Sequence, residues 1–302
     1  MSQSLRAEAQ KFRGTGVALV TPFLHSGAVD ETSLSRLTEH VIDGEVDYLV
    51  LLGTTAEAAT LTPDETARVL EVILDTNSGR KPILLGCGGN DTRRVVQTLG
   101  EWLPRYQPDG VMSVCPYYNR PSQEGMFRHF GAIAEACGDT PLILYNVPAR
   151  TASNLLPETV LRLAAAHANI VGVKEASGSV EQAAEIIAGQ PEGFLVLSGD
   201  DPLALATIAL GAQGCISVIA NALPLELSAL VRHALHGHYE EARRLHYQLA
   251  PSFKLAFAEG NPTGIKALLA ARRICEANVR LPLAPATEAL RQKIDAYTAQ
   301  FA

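Results

Sequence analysis

The sequence is poor in every feature that marks a secreted, membrane-bound or nucleic-acid-binding chain. Its five cysteines (Cys87, Cys115, Cys137, Cys215 and Cys275) are odd in number and scattered, with no CxxC pair. That spacing argues against a disulfide framework and leaves reduced thiols as the expectation. No run approaches the roughly 18 apolar residues that a membrane span requires. Residues 1–14 are polar and helix-prone, without an apolar signal region. The formal net charge of −7 over 302 residues has the wrong sign for a surface that neutralises phosphates. The histidines, His236 and His238 among them, form no cluster that suggests a metal site. Gly86-Cys-Gly-Gly-Asn-Asp91 lacks Walker spacing and a following Lys-Ser/Thr, so it reads as close backbone packing. The expectation is a soluble, cytoplasmic protein with neither a nucleic-acid nor a membrane partner.

What the chain does have is apolar content: 47% of residues are hydrophobic and only 19% charged, enough for one large core. Short β-branched runs alternate with amphipathic stretches. The predicted strands are Gly16–Val20, Tyr48–Leu52, Pro82–Gly86, Gly110–Val114, Leu142–Tyr145, Ile170–Val173, Phe194–Ser198 and Gly214–Val218. Helical patterns include Thr32–Ile42, Pro63–Thr76, Ser122–Cys137, Pro157–Ala166 and Val180–Ile187. Pro63 and Pro157 suit the first helical position, and Thr62 makes the former the better capped. Near-continuous apolar strands are those of a parallel sheet covered on both faces. Eight βα units with no dinucleotide fingerprint favour a closed (β/α)8 TIM barrel over an open doubly wound sheet. Past the eighth unit the pattern is wholly helical: His236–Phe257, Pro262–Ala271 and Pro285–Ala299. The expected organisation is therefore a barrel over 1–235 and a C-terminal helical extension over 236–302 packed on it.

In such barrels chemistry sits at the C-terminal strand ends. Lys174 ends the apolar run Ile170-Val-Gly-Val-Lys. Alone, such a lysine more often snorkels to solvent or pairs with Glu175. A buried amine is the alternative: an unperturbed lysine with a pKa of about 10.4 is neutral in roughly one molecule in a thousand at neutral pH, and burial raises that share. Tyr145 ends the preceding strand and suits proton transfer, or a core phenol bonded to backbone. Arg150 suits a carboxylate through its bidentate fork. Thr54 and Thr55, with the amides that follow, make a plausible carboxylate cradle or simple capping. Asp200-Asp201-Pro202 reads as a helix N-terminus rather than an acid pair.

Seven segments, in order, resemble the dihydrodipicolinate synthase/N-acetylneuraminate lyase family of class I aldolases. They are Gly16-Val-Ala-Leu-Val-Thr-Pro-Phe23, Gly53-Thr-Thr-Ala-Glu57, Pro116-Tyr-Tyr-Asn-Arg-Pro121, Tyr145-Asn-Val-Pro-Ala-Arg-Thr151, Gly172-Val-Lys-Glu-Ala-Ser177, Ser198-Gly-Asp-Asp201 and Gly214-Cys-Ile-Ser-Val218. The resemblance implies a Schiff base between Lys174 and pyruvate, with Tyr145 as proton donor and acceptor. It implies that Thr54 relays protons between Tyr145 and Tyr118, the latter supplied by a neighbouring subunit of a homotetramer. It further implies that Thr55 holds the pyruvate carboxylate, that Ile216 lines the same pocket, and that no cofactor or metal is needed because the iminium is the electron sink. Tyr-Asn-Val-Pro-x-Arg-Thr resembles the dihydrodipicolinate synthase branch, in which the arginine (here Arg150) serves the carboxylate of aspartate semialdehyde. A sialic-acid or keto-sugar-acid aldolase, and a barrel that binds such metabolites without turnover, are the alternatives.

Two departures stand out. The family's Gly-Thr-Thr-Gly-Glu-Ser is here Gly53-Thr54-Thr55-Ala56-Glu57-Ala58, and the lost glycine would strain the turn if that position needs a positive φ. Relatives inhibited by lysine bind it with that serine, two histidines and an acidic residue. The corresponding places hold Ala58, Pro63, Thr66 and Arg94, although Asn90 and Tyr117 remain. A cationic Arg94 opposes a cationic ligand, so insensitivity to lysine is expected.

Overall fold

A computed structural model describes residues 2–301. Its eight strands are β1 (Gly14–Ala18), β2 (Tyr48–Leu51), β3 (Ile83–Gly86), β4 (Gly110–Val114), β5 (Leu142–Asn146), β6 (Ile170–Glu175), β7 (Leu195–Ser198) and β8 (Gly214–Ser217). They close in sequence order into a barrel, the TIM-barrel architecture expected. Apart from half-buried Gly86 and Val114, every strand residue is buried. Burial on both faces removes any need for polar alternation, which is why the strands read as continuous apolar runs.

A helix follows each strand, including Glu31–Asp43, Pro63–Asn77, Gln123–Cys137, Pro157–Ala166 and Val180–Gly189. Thr62 and Glu65 form a reciprocal capping box at Pro63, whereas Leu156 offers Pro157 no side-chain cap. The C-terminal helices are Tyr239–Phe257, Thr263–Ala271 and Glu288–Thr298. The first starts three residues later than expected, because His236–His238 form a turn in which Gly237 has φ 76°.

β1 lies two residues earlier than the hydropathy places it. Its ladder to β2 ends at Ala18↔Val50. Leu19 N still donates to Val50 O, but Val20 N donates to the Asn221 side chain instead of a strand (3.1 Å each). Apolar character continues where the ladder has stopped.

The chain divides into two compact units: residues to Gly14 with Pro82–Ile216, and Thr15–Lys81 with the residues from Ser217 onward. In the first, one irregularity decides which side chains at the ends of β5 and β6 oppose each other. Leu142 pairs with Ile170, but Ile143 pairs with Gly172, so a bulge skips Val171. The ladder then runs Tyr145↔Lys174 and Asn146↔Glu175. Without the bulge Tyr145 would oppose Val173, and a shift of one residue places a side chain on the other face.

Candidate active site

In the first unit Lys174 is 4% exposed. Its Nζ lies 4.3 Å from the centroid of the Tyr145 ring, within range of a cation–π contact. The ladder pairing explains this, since residues directly opposed on neighbouring strands share a face. Beside the lysine stem, Gly199 leaves the space that a side chain would take: a Cβ there would come within 2.9 Å of Lys174 Cε and 2.6 Å of Ala176 Cβ. Tyr145 is buried, as is Ile216 on β8.

Cys215, also on β8, feels both the Lys174 ammonium and the Asp201 carboxylate. Burial, then Asp201, pushes its thiol well above the ordinary range, while Lys174 opposes the shift. The group therefore remains a thiol. Asp200 is shifted upward by burial and then by Asp201. These two residues do open a helical segment, Asp201–Leu203 followed by Ala204–Ala209, but neither caps it through its side chain. Instead, Asp201 Oδ1 accepts from the Cys215 thiol at 3.9 Å.

Asn146 and Glu175 point to the opposite face and build a buried polar network. Asn146 Nδ2 donates to Glu175 Oε2 (3.0 Å) and Asn154 Oδ1 (2.9 Å). Gln182 Nε2 and Ser177 N donate to the same carboxylate at 3.0 and 2.7 Å. Asn146 Oδ1 accepts from Leu155 N at 2.9 Å. This network ties the ends of β5 and β6 to residues 154–155. Between them lies the single helical turn Pro148–Thr151 that carries exposed Arg150.

Tyr118 is 87% exposed and has φ 73°. It extends from a turn in which Asn90 Nδ2 and Asn119 N both donate to Tyr117 O. The Cys87–Asn90 segment packs as the sequence implied: a Cβ on Gly88 would meet Val114 N and Cγ1 at 2.9 Å.

In the second unit β2 leads through Leu52 and Gly53 into a tight turn, Thr54–Ala56. Thr54 is exposed and Thr55 buried. Thr55 Oγ1 accepts from Asn261 Nδ2 at 3.0 Å, and Ala56 O accepts from Thr21 Oγ1 at 2.7 Å. The Ala56 and Glu57 amides bond within the turn, to Gly53 O and Thr54 O, so they are not donors to a ligand. The left-handed residues here are Leu52 and Glu57 (φ 53° each), not Ala56. Alanine in place of glycine therefore carries no backbone strain.

Sequence reasoning passed over Glu57 as a group with its own partners, and it missed Lys266, Arg280 and Asn261. The available signal was a lysine inside the apolar run Gly264-Ile-Lys-Ala-Leu-Leu269. Among the described residues no group of three or more His, Cys, Asp or Glu side chains could hold a metal ion. None of their helices is long and apolar enough to cross a membrane. All five cysteines are free and buried.

The profile of the dihydrodipicolinate synthetase family matches residues 11–300. The 4-hydroxy-tetrahydrodipicolinate synthase of Flavobacterium psychrophilum is 50% identical over 291 residues, covering 96% of this chain and 99% of that protein. Its counterpart in Cytophaga hutchinsonii is 47% identical over 284 residues, 94% of this chain and 95% of that protein. The crystal structure of dihydrodipicolinate synthase from Thermotoga maritima superposes with a TM-score of 0.92 at 35% identity, covering 96% of this chain and 98% of that one. The 4-hydroxy-tetrahydrodipicolinate synthase of Methylacidiphilum fumariolicum gives 0.91 at 40% identity over 96% and 95%. With its barrel, its strand-end lysine and these likenesses taken together, the chain belongs to the dihydrodipicolinate synthetase family, lyases of the class I aldolase type.

Proposed function

We propose that this chain condenses pyruvate with L-aspartate 4-semialdehyde to give 4-hydroxy-tetrahydrodipicolinate, in lysine and diaminopimelate biosynthesis, and that lysine does not inhibit it. The observation that carries this reading is Lys174, buried at the end of β6 with its amine against the Tyr145 ring. The neutral amine adds to the pyruvate ketone, and the carbinolamine loses water to give an iminium. Loss of a proton from the adjacent methyl group yields an enamine, whose carbon attacks the aldehyde. The substrate's own amine then displaces Lys174 by adding to the iminium, closing the ring.

Tyr145 supplies and removes the protons of carbinolamine formation and collapse, with Thr54 and Tyr118 as the relay. Tyr118 serves a neighbouring subunit of a homotetramer; its exposure supports that role, because its phenol is not packed into its own chain. Thr55 and Ile216 bind pyruvate, Thr55 through the carboxylate, and Arg150 binds the carboxylate of the semialdehyde. The short turn that presents Arg150 is anchored through Asn146 and Leu155, which supports a fixed guanidinium position. Arg94, exposed, supports the loss of lysine control. The buried free thiols suit a reduced, cytoplasmic setting.

Rates measured with pyruvate and a series of aldehydes test the assignment. Aspartate semialdehyde should be turned over, and N-acetylmannosamine and sugar aldehydes should not. Turnover confined to the sugars would overthrow it.

A further inference from the structure

Lys266 is fully buried, on the helix Thr263–Ala271 among Ile265, Ala267, Leu268 and Leu269. A charge there requires partners. Its Nζ donates to Glu57 Oε1 (2.5 Å) and Asn278 O (2.8 Å) and stands 4.1 Å from the Phe23 ring centroid. Burial draws the ammonium pKa down, and the Glu57 charge opposes this. Glu57 Oε2 accepts from Arg280 N at 2.9 Å. The Arg280 guanidinium binds Glu65 and the carbonyls of Gly27 and Thr60, and it also covers Phe23, at 4.3 Å.

These contacts converge on the segment that carries Thr54 and Thr55. Glu57 holds a left-handed backbone (φ 53°), a conformation that a residue with a Cβ keeps only where its surroundings over-determine it. Here its carboxylate is held by residues 266 and 280, while its carbonyl accepts from Thr60 N and Oγ1 (2.9 and 3.0 Å). Two residues back along the turn, buried Asn261 donates to Thr55 Oγ1. A threonine hydroxyl has one proton. With its oxygen already accepting from an amide, Thr55 is set to donate that proton elsewhere, as the binding of a carboxylate requires.

We infer that the C-terminal segment Asn261–Arg280 positions the pyruvate-binding turn: the Glu57–Lys266 pair fixes its backbone, and Asn261 sets Thr55 as a hydrogen-bond donor. The inference rests on the reading that Thr55 holds the pyruvate carboxylate. Lys266 and Asn261 are positioning residues that act through Glu57 and Thr55. This assigns the helical extension a part in substrate binding.

The test compares three variants of the full-length enzyme, Asn261→Ala, the paired Glu57→Gln/Lys266→Met, and Thr55→Val, together with the combination of Asn261→Ala and Thr55→Val. The paired change removes both charges at once and so leaves no uncompensated ion in the interior. KM is measured separately for pyruvate and for aspartate semialdehyde, alongside thermal melting. Asn261→Ala and the paired variant should each raise pyruvate KM about tenfold or more, the size of one lost orienting contact of about 1.4 kcal/mol. The semialdehyde KM should stay within about twofold. Asn261→Ala should add nothing in a Thr55→Val background. If Thr55→Val raises pyruvate KM while the other two change only the melting temperature, the segment merely stabilises the fold and the inference fails. If Thr55→Val leaves pyruvate KM unchanged, the reading of Thr55 fails first and takes the inference with it. Should the paired variant not fold, Asn261→Ala alone decides between these outcomes.

Discussion

Gly199→Ala is the substitution that most directly probes how the amine is held. The added methyl would lie 2.6 Å from Ala176 Cβ, 2.9 Å from Lys174 Cε and 3.1 Å from Lys174 Cγ. Carbon atoms settle at about 3.5–4.0 Å, so roughly 1 Å of clearance is missing. The lysine stem can swing, but Ala176 Cβ moves only with the end of β6, the strand that carries Lys174. Overpacking of this kind costs about 1–3 kcal/mol. A displacement of about 1 Å at a reacting group costs on the order of a hundredfold in rate. The expected outcome is a folded protein whose melting temperature falls by a few degrees, at roughly 2–4 °C per kcal/mol. Its kcat should fall about a hundredfold, and its rate of adduct formation with pyruvate should fall in parallel. The assay pairs initial rates with both substrates and a thermal melt. A rate within about threefold of the parent, combined with a clear drop in melting temperature, would refute the view that packing against Gly199 sets the amine.

His129 predicts an acid-sensitive component of stability. It is buried, its Nδ1 meets Thr92 Oγ1 at 2.9 Å, and Nε2 has no partner among the described residues. Burial pushes the imidazole down to about 4 from its ordinary 6.5. The unfolded chain therefore takes up a proton that the folded chain refuses, so this stability is present above about pH 6.5 and is lost as the pH falls toward about 4. Between about pH 7 and about pH 4.5 the parent should lose about 2 kcal/mol more unfolding free energy than His129→Phe, and equal losses would contradict the assignment. Millimolar lysine should leave the rate of the purified enzyme nearly unchanged, given Ala58, Pro63, Thr66 and Arg94; strong inhibition would refute this.

The apolar runs made the barrel legible, because strands buried on both faces state their identity in composition. Their ends were less so. β1 stops where Asn221 takes up the Val20 amide, a contact between residues 201 positions apart that no local pattern reveals. Lys174 and Tyr145 were readable as strand-end residues and, through the family resemblance, as partners. Their direct opposition was not readable, since it depends on a bulge at Val171. Nor was the charge pair of Glu57 and Lys266, which joins residues 209 apart. Their types are ordinary, and only burial makes them exceptional. The concern over Ala56 depended on a positive φ at that position; the left-handed residues of this segment are Leu52 and Glu57 instead, which only the backbone reveals.

Reductive trapping distinguishes Lys174 from every other lysine as the residue that bonds to pyruvate. The enzyme is treated with borohydride in the presence of pyruvate, and the digested peptides are mapped by mass. One pyruvate-dependent adduct is expected, on the peptide containing Lys174, accompanied by loss of activity and absent from Lys174→Met. An unmodified Lys174 peptide in an inactivated enzyme, or an adduct on Lys266 instead, would contradict that assignment.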